Sequence, residues 1–462
     1  MKYCSTRGGV NDLSFSEAVM MGLAADGGLL LPQHIPVLSP GELQRLSTLP
    51  YPDLAFDIIS RYATDLPADD LQQLINRTYA NFRHPDIAPV VKRDDLYILE
   101  LFHGPTLAFK DIALQFLGNL FEYYLERSGA KMNIIGATSG DTGSAAIAGV
   151  RGRKNINIFI LYPHGRVSAV QELQMTTVAD ENVFNIAIDG TFDDAQAIVK
   201  EIFGDQAFKQ QYALGAVNSI NWVRVLAQVV YYFYACFQVQ RDAAAEMVDF
   251  SVPTGNFGDI FAGYIARRMG LPIRSLILAT NSNNILSRFV NQGDYSVAAV
   301  HQTLSPSMDI QVASNFERYL YYLYDCQPDK VVAAMAAFRQ HGKIAFSAAE
   351  QQRIRSDFAA ASVDDSDTVE QIRSFYHGTG YLLDPHTAVG VAAGQLTGRG
   401  QTPLICLATA HPAKFPDAIH QAVADLPIDH PVINQLRDKP QHRKRMPADL
   451  ATIRSFIAAN AC

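Results

Sequence analysis

Four short segments of the sequence carry residues that could bind anions or do chemistry, and each follows an apolar run typical of a β-strand. They are rich in glycine, threonine or serine, or hold a single lysine: HGPTLAFKD from residue 103, ATSGDTG from 137, PTGNFGD from 253 and TAHPAKF from 409. In open parallel sheets, ligands bind beyond the carboxyl ends of the strands. We therefore expect these four loops to carry the functional site.

The segment PTGNFGD has the composition of a phosphate cradle. Gly255 and Gly258 bracket Asn256 and Phe257, and an amphipathic helical pattern begins at Asp259. Glycines let backbone N–H groups converge on a ligand, and the helix N-terminus adds the positive end of its dipole. A plain strand-to-helix turn would have the same sequence, so this segment alone leaves both interpretations open.

The segment ATSGDTG offers the same physics for a second anion. Thr138, Ser139, Gly140, Asp141 and Thr142 lead into a helical pattern of small residues. Their backbone amides and hydroxyls could hold a carboxylate or a phosphate. The alternative is a turn in which Asp141 or Thr142 caps the helix.

Lys110 lies at the start of a helical pattern, where a cation opposes the helix dipole. Its neighbours Leu107, Ala108 and Phe109 would strip water from the amine and favour the uncharged, nucleophilic form. A surface lysine offset by Asp111 is the alternative. A lysine in the company of two anion cradles suits pyridoxal phosphate held as a Schiff base.

The elements that must position these loops alternate between strand-like and helix-like patterns from about residue 96 onward. The alternation resumes after a long helical pattern at Val223–Val239. This order predicts an α/β fold of two lobes with mostly parallel sheets, right-handed crossovers and a cleft between the lobes. About ninety residues before it are predicted to be largely helical, with capping-box spacing at Ser14 and Glu17.

The stretch from about 295 to 400 is less regular, and we expect its helices to form a cover or an insertion. Its cluster of tyrosines is interpreted as core packing; these are Tyr319, Tyr321, Tyr322 and Tyr324.

Composition and charge argue against several other classes of protein. The formal charge is −8, from 38 Lys+Arg and 46 Asp+Glu, so the net charge does not favour binding to nucleic acid. We interpret the basic run RDKPQHRKRM as solvated surface. No apolar run is long enough to cross a membrane, and MKYCSTRGG lacks the apolar region of a signal peptide. Five scattered cysteines predict reduced thiols in a cytoplasmic protein and no zinc site. Histidines without close spacing exclude a compact metal motif and leave open a site built from ligands distant in sequence.

Six motifs resemble, in their order along the chain, those of the threonine synthase family: HGPTLAFKD, GATSGDTGSAA, NSINWVR, PTGNFGD, PHTAVGV and ATAHPAKFP. The opening STRG and the segment DGGLLLP are similar to the branch of that family with a longer N-terminal region. Threonine synthases belong to the tryptophan-synthase-β-like class of pyridoxal phosphate enzymes. The resemblance therefore implies fold type II, in which two α/β domains hold the cofactor in the cleft between them.

The expected domains combine this resemblance with the pattern of elements. They are a helical N-terminal region at 1–90, a large cofactor-binding α/β domain at 91–112 and 215–425 with a helical insertion at about 295–400, a small α/β domain at 113–214, and a C-terminal tail at 426–462.

Carried over position by position, the resemblance implies a role for each loop. The implied residues are Lys110 for the Schiff base; Gly255, Asn256, Phe257, Gly258 and Asp259 for the cofactor phosphate; Thr409 for the pyridine nitrogen; Thr138, Ser139, Gly140, Asp141 and Thr142 for the substrate carboxylate; and Asn221 and Arg224 for the substrate phosphate. A hydroxyl at the pyridine nitrogen would not hold it firmly protonated, which suits elimination and replacement better than transamination. Arg224 could equally cap or pair within its long helix, and His386 and His411 receive no chemical role.

The implied activity is that of a lyase of threonine biosynthesis. It would convert O-phospho-L-homoserine and water into L-threonine and phosphate by γ-elimination and β-addition of water, with Lys110 taking the α-proton. The expected partner is this small-molecule substrate, with no nucleic acid or membrane, and the chain is expected to be a monomer or a homodimer. Three alternatives stay open: a serine/threonine dehydratase or other enzyme of the same fold class, a threonine-synthase-like binding protein without turnover, and a plain phosphate- or nucleotide-binding α/β protein.

Overall fold

The computed structural model describes residues 1–397 and 400–462, and the chain divides into two compact units. The first unit comprises Met1–Asn76, Phe82–His103 and Ser219–Leu426, and the second comprises Arg77–Asn81, Gly104–Asn218 and Pro427–Cys462. Each unit contains a mostly parallel sheet with helices, which confirms the expected α/β class.

The strands, in chain order, are β1 (Tyr3–Ser5), β2 (Leu30–Pro32), β3 (Val90–Arg93), β4 (Leu96–Glu100), β5 (Met132–Ala137), β6 (Ile156–Pro163), β7 (Val183–Asp189), β8 (Leu214–Gly215), β9 (Val248–Pro253), β10 (Ile273–Thr280), β11 (Asp294–Ser296), β12 (Lys343–Ala345), β13 (Ala359–Ser362), β14 (Leu404–Ala408) and β15 (Lys444–Pro447).

The helices are α1 (Phe15–Met21), α2 (Pro40–Leu46), α3 (Tyr51–Ser60), α4 (Ala68–Tyr79), α5 (Lys110–Ser128), α6 (Asp141–Val150), α7 (Ala169–Thr176), α8 (Phe192–Gly204), α9 (Gln206–Gln211), α10 (Trp222–Ala243), α11 (Gly258–Arg268), α12 (Ile285–Gln292), α13 (Phe316–Leu323), α14 (Pro328–His341), α15 (Ala348–Asp357), α16 (Asp365–Thr379), α17 (Pro385–Thr397), α18 (Pro416–Ala422), α19 (Pro431–Arg437) and α20 (Leu450–Asn460). Two short 3₁₀ helices lie at Pro306–Met308 and Pro412–Lys414.

The sheet of the first unit has the strand order β13-β10-β9-β14-β4-β3. All neighbours pair in parallel except β3, which runs antiparallel to β4. Strands β9 and β14 are buried along their whole length, so they appear in the sequence as continuous apolar runs. Because β9 and β14 are adjacent, the loops PTGNFGD and TAHPAKF leave neighbouring strands at the same edge of the sheet.

The sheet of the second unit has the order β15-β7-β6-β5-β8, and every pair of neighbours is parallel. One core cluster on this sheet joins side chains of β6 and β7 to helices α8 and α20; among them are Phe159, Ile186, Ile202 and Ile453. The loop ATSGDTG follows β5, which lies inside the sheet rather than at its edge.

The N-terminal region is largely helical, as predicted, and begins with a small antiparallel ribbon of β1 and β2. The capping box expected at the start of α1 is present: the Ser14 hydroxyl accepts from the Glu17 N–H, and the Glu17 carboxylate accepts from the Ser14 N–H. The long central helix α10 is also confirmed, and it extends slightly beyond the predicted Val223–Val239 at both ends.

The stretch at about 295–400 contains helices α13 to α17, as expected, although residues 398–399 lie outside the described part of the chain. Tyr319, Tyr322 and Tyr324 are buried, in agreement with core packing. The strand β13, which forms one edge of the main sheet, was not predicted because its sequence AAAS has no apolar alternation.

Residues 426–462, expected as a C-terminal tail, contain α19, β15 and α20. Within the basic run, Lys444 and Arg445 are exposed, as a solvated surface requires, but their segment is strand β15 and pairs with β7. Met446 and Ile457 are buried in the core cluster of the second unit, which places residues 427–462 in that unit. The compact units place Lys110 in the second unit and most of residues 1–90 in the first, with Arg77–Asn81 in the second. The expected domain boundaries stay a prediction.

Within residues 1–397 and 400–462, no helix has the length and apolarity needed to cross a membrane. Over the same residues, the His, Cys, Asp and Glu side chains form no group of three suited to a metal ion.

Candidate active site

The loop before α5 is fixed by the carboxylate of Asp111. The backbone N–H and the hydroxyl of Thr106 donate to Asp111 at 2.8 and 2.7 Å, and Gln174 donates to the Thr106 carbonyl at 2.9 Å. A Cβ on Gly104 would lie only 2.4 Å from the Asp111 side chain, so this loop requires glycine there. Asp111 therefore holds the loop. This contact argues against the alternative that Asp111 only offsets the charge of a surface Lys110.

Lys110 is the first residue of α5 and is only 8% exposed. Its Nζ lies 3.5 Å from Asp141 Oδ2 and 4.8 Å from the centroid of the Phe109 ring. The other carboxylate oxygen of Asp141 accepts from Gln171 at 2.9 Å. Lys110 is thus a buried amine beside an oriented carboxylate.

The loop ATSGDTG presents backbone donors at the start of α6. Gly140, with φ of 141°, is the N-cap residue and makes no side-chain cap bond, so the alternative of an Asp141 or Thr142 cap is wrong. The Thr138 hydroxyl instead accepts from the N–H groups of Gly140 and Gly143, both at 2.9 Å. In the described structure, the N–H groups of Ser139 and Thr142 make no hydrogen bond. These groups lie at a helix N-terminus and fit an anion.

The loop PTGNFGD presents a longer row of donors. The N–H groups of Gly255, Asn256, Phe257 and Gly258 form no hydrogen bond with any residue that the structure describes. Phe257 has φ of 64° and is the N-cap residue of α11, which begins at Gly258. Four unbonded amides leading into a helix N-terminus fit a phosphate group, because each would gain a charge-assisted hydrogen bond.

Two side chains of this loop, those of Phe257 and Asp259, anchor it to the rest of the first unit. The Phe257 ring is buried and lies 5.7 Å from the Phe316 ring, centroid to centroid. Asp259 Oδ1 accepts from the hydroxyls of Tyr231 and Tyr232 at 2.5 and 3.0 Å. Burial raises the pKa of both hydroxyls well above the ordinary value, so they stay protonated donors.

Thr409 directly follows β14 and is buried. Its hydroxyl makes no hydrogen bond to the described residues, so it can donate to or accept from a ligand. In the sheet, β14 is the neighbour of β9, whose end carries the row of free amides.

Asn221 and Arg224 lie at the start of α10. Asn221 is the N-cap residue: its Oδ1 accepts from the Val223 N–H at 3.1 Å, and its Nδ2 donates to the Val19 carbonyl at 3.0 Å. Arg224 is 5% exposed, and its Nε and Nη1 have no hydrogen-bond partner among the described residues. Burial lowers the pKa of Arg224 to about 10. A buried guanidinium without a counter-ion is costly, and a bound anion would offset that cost.

The structure shows the hydrogen-bond partners of His386 and His411, the two histidines to which the sequence assigned no chemical role. His386 Nδ1 lies 2.9 Å from Asp384 Oδ1, and His386 Nε2 accepts from the Ser307 N–H at 3.2 Å. His411 Nδ1 accepts from the Ala413 N–H at 3.1 Å. Both rings are therefore bonded to backbone, and His386 also holds the 3₁₀ turn at 306–308.

The predicted site residues fall into two groups, one in each compact unit. Lys110 and the loop Thr138–Thr142 belong to the second unit. The first unit contains the loop Gly255–Asp259, together with Thr409, Asn221 and Arg224.

Comparison with known proteins gives matches along almost the whole chain. Residues 2–79 match the family model described as Threonine synthase N terminus, residues 80–349 match Pyridoxal-phosphate dependent enzyme, and residues 387–457 match Threonine synthase, C-terminal.

Single proteins match over the same length. The chain is 45% identical to the threonine synthase of Schizosaccharomyces pombe, covering 92% of this chain and 90% of that protein. It is 45% identical to the threonine synthase of Pseudomonas aeruginosa, covering 99% and 98%. Among solved structures, the PLP-bound threonine synthase from Brucella melitensis matches with a TM-score of 0.96 and 43% identity, covering 100% of this chain and 99% of that one.

Proposed function

This chain belongs to the threonine synthase family, and from that premise we propose how its residues divide the work of the family's reaction. The reaction is the conversion of O-phospho-L-homoserine and water into L-threonine and phosphate, a step of threonine biosynthesis. The enzyme is a lyase of fold type II, and its cofactor is pyridoxal 5'-phosphate.

Lys110 Nζ is the proposed point of covalent attachment for the cofactor, as a Schiff base, and the base that takes the proton from the substrate α-carbon. When bound, pyridoxal phosphate supplies an electron sink for the negative charge left on that carbon. Two features of the chain support this role: Lys110 is buried, and Asp141 lies within reach of its Nζ at 3.5 Å. The carboxylate orients the amine while Gln171 orients the carboxylate.

The cofactor phosphate is assigned to the loop Gly255–Asp259, and the row of four unbonded N–H groups at 255–258 is the observation that carries this assignment. Phe257 contributes its N–H while its ring anchors the loop. Asp259 takes part through its backbone, since two tyrosine hydroxyls hold its side chain. The Thr409 hydroxyl is assigned to the pyridine nitrogen, where a neutral partner suits elimination and replacement.

The substrate's two anionic ends are assigned to separate donors. The α-carboxylate is assigned to Thr138–Thr142, where the N–H groups of Ser139 and Thr142 are unbonded within the described structure. The substrate phosphate is assigned to Arg224, whose buried guanidinium lacks a counter-ion there. Both the Oδ1 and the Nδ2 of Asn221 are hydrogen-bonded to backbone. Asn221 therefore contributes to this subsite by capping α10, the helix that carries Arg224.

We also propose that the protein is cytoplasmic and is a monomer or a homodimer without nucleic-acid or membrane partners. The five cysteines support the first part: each is a free thiol, as in a reducing compartment. Sedimentation of the purified protein would measure the oligomeric state, and cell fractionation would measure the location.

The activity is tested by supplying O-phospho-L-homoserine to the purified holoenzyme and measuring phosphate and amino-acid products. Equal amounts of phosphate and threonine are expected. A protein that absorbs as a pyridoxal phosphate enzyme but makes no threonine would contradict the assignment and favour a dehydratase of the same fold class. A protein that takes up no cofactor would contradict both.

A further inference from the structure

The segment Ser314–Arg318, at the start of α13, contacts the loop Gly255–Asp259. No sequence motif had singled out this segment. We infer that Asn315 is a positioning residue for the loop Gly255–Asp259, and that Arg318 holds Asn315 in the required orientation. This inference rests on the proposed role of that loop in binding the cofactor phosphate.

Asn315 holds the carbonyl of Asn256 with two donors. Its backbone N–H donates at 3.0 Å and its side-chain Nδ2 at 3.1 Å, and the residue is completely buried. The peptide bond between Asn256 and Phe257 is planar and trans, so its C=O and N–H point in opposite directions. Fixing the Asn256 carbonyl toward Asn315 therefore turns the Phe257 N–H away from it, toward the ligand side of the loop.

Arg318 determines which way the Asn315 amide points. Its Nη1 donates to Asn315 Oδ1, which leaves Nδ2 directed at the Asn256 carbonyl. The guanidinium is completely buried and is itself held by backbone: Nη2 donates to the Ile220 carbonyl at 2.5 Å and to the Leu30 carbonyl at 2.9 Å. Unlike the guanidinium of Arg224, this one is surrounded by acceptors.

The same helical turn also binds the N-terminal ribbon. Leu30 belongs to β2, and the carboxylate of Glu317 accepts from the Thr6 hydroxyl at 2.6 Å and from Arg7 Nη2 at 2.7 Å. Asn315 Nδ2 also donates to the Ser219 carbonyl at 3.1 Å, just before the cap of α10. The segment Ser314–Arg318 thus connects the loop Gly255–Asp259 to the N-terminal ribbon and to the start of α10.

The test compares the affinities of the apoprotein for pyridoxal phosphate and for pyridoxal, which lacks the phosphate. In Asn315→Asp, an acceptor for Arg318 remains, but the Nδ2 donor becomes a carboxylate oxygen that repels the Asn256 carbonyl. We expect the affinity for pyridoxal phosphate to fall about tenfold or more, and that for pyridoxal to change less than about threefold. Asn315→Ser keeps the hydrogen bond from the backbone N–H. We expect it to lose a smaller share of the preference for pyridoxal phosphate over pyridoxal, and it replaces the aspartate variant if that variant does not fold.

A matched control is Asn185→Asp in the second unit. Asn185 is also buried, and its Nδ2 likewise donates to a backbone carbonyl, that of Met175 at 3.0 Å. This variant is expected to lose stability while keeping the preference for pyridoxal phosphate. If it loses the preference as strongly as Asn315→Asp, the effect is one of general destabilisation and the inference is wrong.

A second comparison separates the inference from the proposed function. A Cβ at Gly255 would lie 2.7 Å from the Ser307 carbonyl, so Gly255→Ala displaces the loop itself. If Gly255→Ala loses the preference and both Asn315 variants retain it, the positioning role is wrong and the loop assignment stands. If the wild-type protein shows no preference, or Gly255→Ala retains it, the phosphate assignment itself is wrong.

Discussion

Lys110 combines burial with a nearby carboxylate, and this pairing makes a direct prediction. Lys110→Ala should abolish the cofactor's Schiff-base absorbance and reduce threonine formation by at least about 10³-fold, because the variant lacks both the proposed attachment point and the proposed base. Lys92→Ala, which removes an exposed lysine, should change neither quantity. Turnover that survives in the Lys110 variant would remove this residue from the mechanism.

Arg224 is a residue whose function can be separated from its contribution to stability. The Arg224 guanidinium is buried and has no hydrogen-bond partner for its Nε and Nη1 among the described residues. Replacing it by an apolar side chain removes a desolvation cost, so Arg224→Met should leave the melting temperature unchanged or raise it. Losing the proposed charge-assisted hydrogen bonds from Arg224 to the substrate phosphate should raise KM about ten- to hundredfold.

The same change at the exposed Arg339 gives the control and should affect neither quantity. A lower melting temperature with an unchanged KM for Arg224→Met would mean that the residue is structural.

At the residue scale, the sequence predicts the site where its motifs are continuous. Lys110 and the loop at 255–259 each follow an apolar strand pattern, which is what singled them out, and their roles stay a prediction. Asn315 and the pair of Asp384 and His386 were not predicted, because each acts on a segment distant along the chain and a single asparagine or histidine carries no spacing signal.

At the scale of elements, the packing of α20 in the core of the second unit should contribute measurably to the free energy of unfolding. Ile453 is fully buried in the core cluster, so Ile453→Ala should lower the free energy of unfolding by about 2–5 kcal/mol. The neighbouring Arg454 forms a partly exposed ion pair with Asp205 and lies 4.4 Å from the centroid of the Phe208 ring, so Arg454→Ala should cost less, about 1–2 kcal/mol. Chemical denaturation would measure both, and equal losses would contradict the packing of α20 against the sheet.

Two of the strands that were not predicted, β13 and β15, share a physical cause. Strands β13 and β15 are edge strands with the sequences AAAS and KRMP, and neither has a buried apolar run. Interior strands such as β9 and β14 are buried on both faces, which requires the apolar runs that made them recognisable. Edge strands take their structure from the neighbour they pair with, and that neighbour is not visible in local sequence.

At the scale of the whole molecule, each unit is assembled from three separate segments of the chain. The chain has one tryptophan, Trp222, which is buried in the first unit, so its fluorescence reports on that unit alone. A chain ending at Leu426 loses β15 and α20 but no strand of the first unit's sheet.

We expect that truncated chain to keep the fluorescence of a buried Trp222 while proteases cleave within residues 113–214. Limited proteolysis followed by mass spectrometry would locate the cuts. Resistance equal to that of the full chain would show that the C-terminal residues are dispensable for the second unit.

The late position of β15 in the chain also has a consequence for synthesis on the ribosome. Strand β7 is complete at Asp189, but the strand that covers its outer edge begins only at Lys444. At ordinary translation speeds the nascent chain carries β7 as an uncovered edge for roughly ten to fifty seconds. During that interval the uncovered edge of β7 can pair with other chains, so association between nascent chains is favoured until the C-terminal strand emerges.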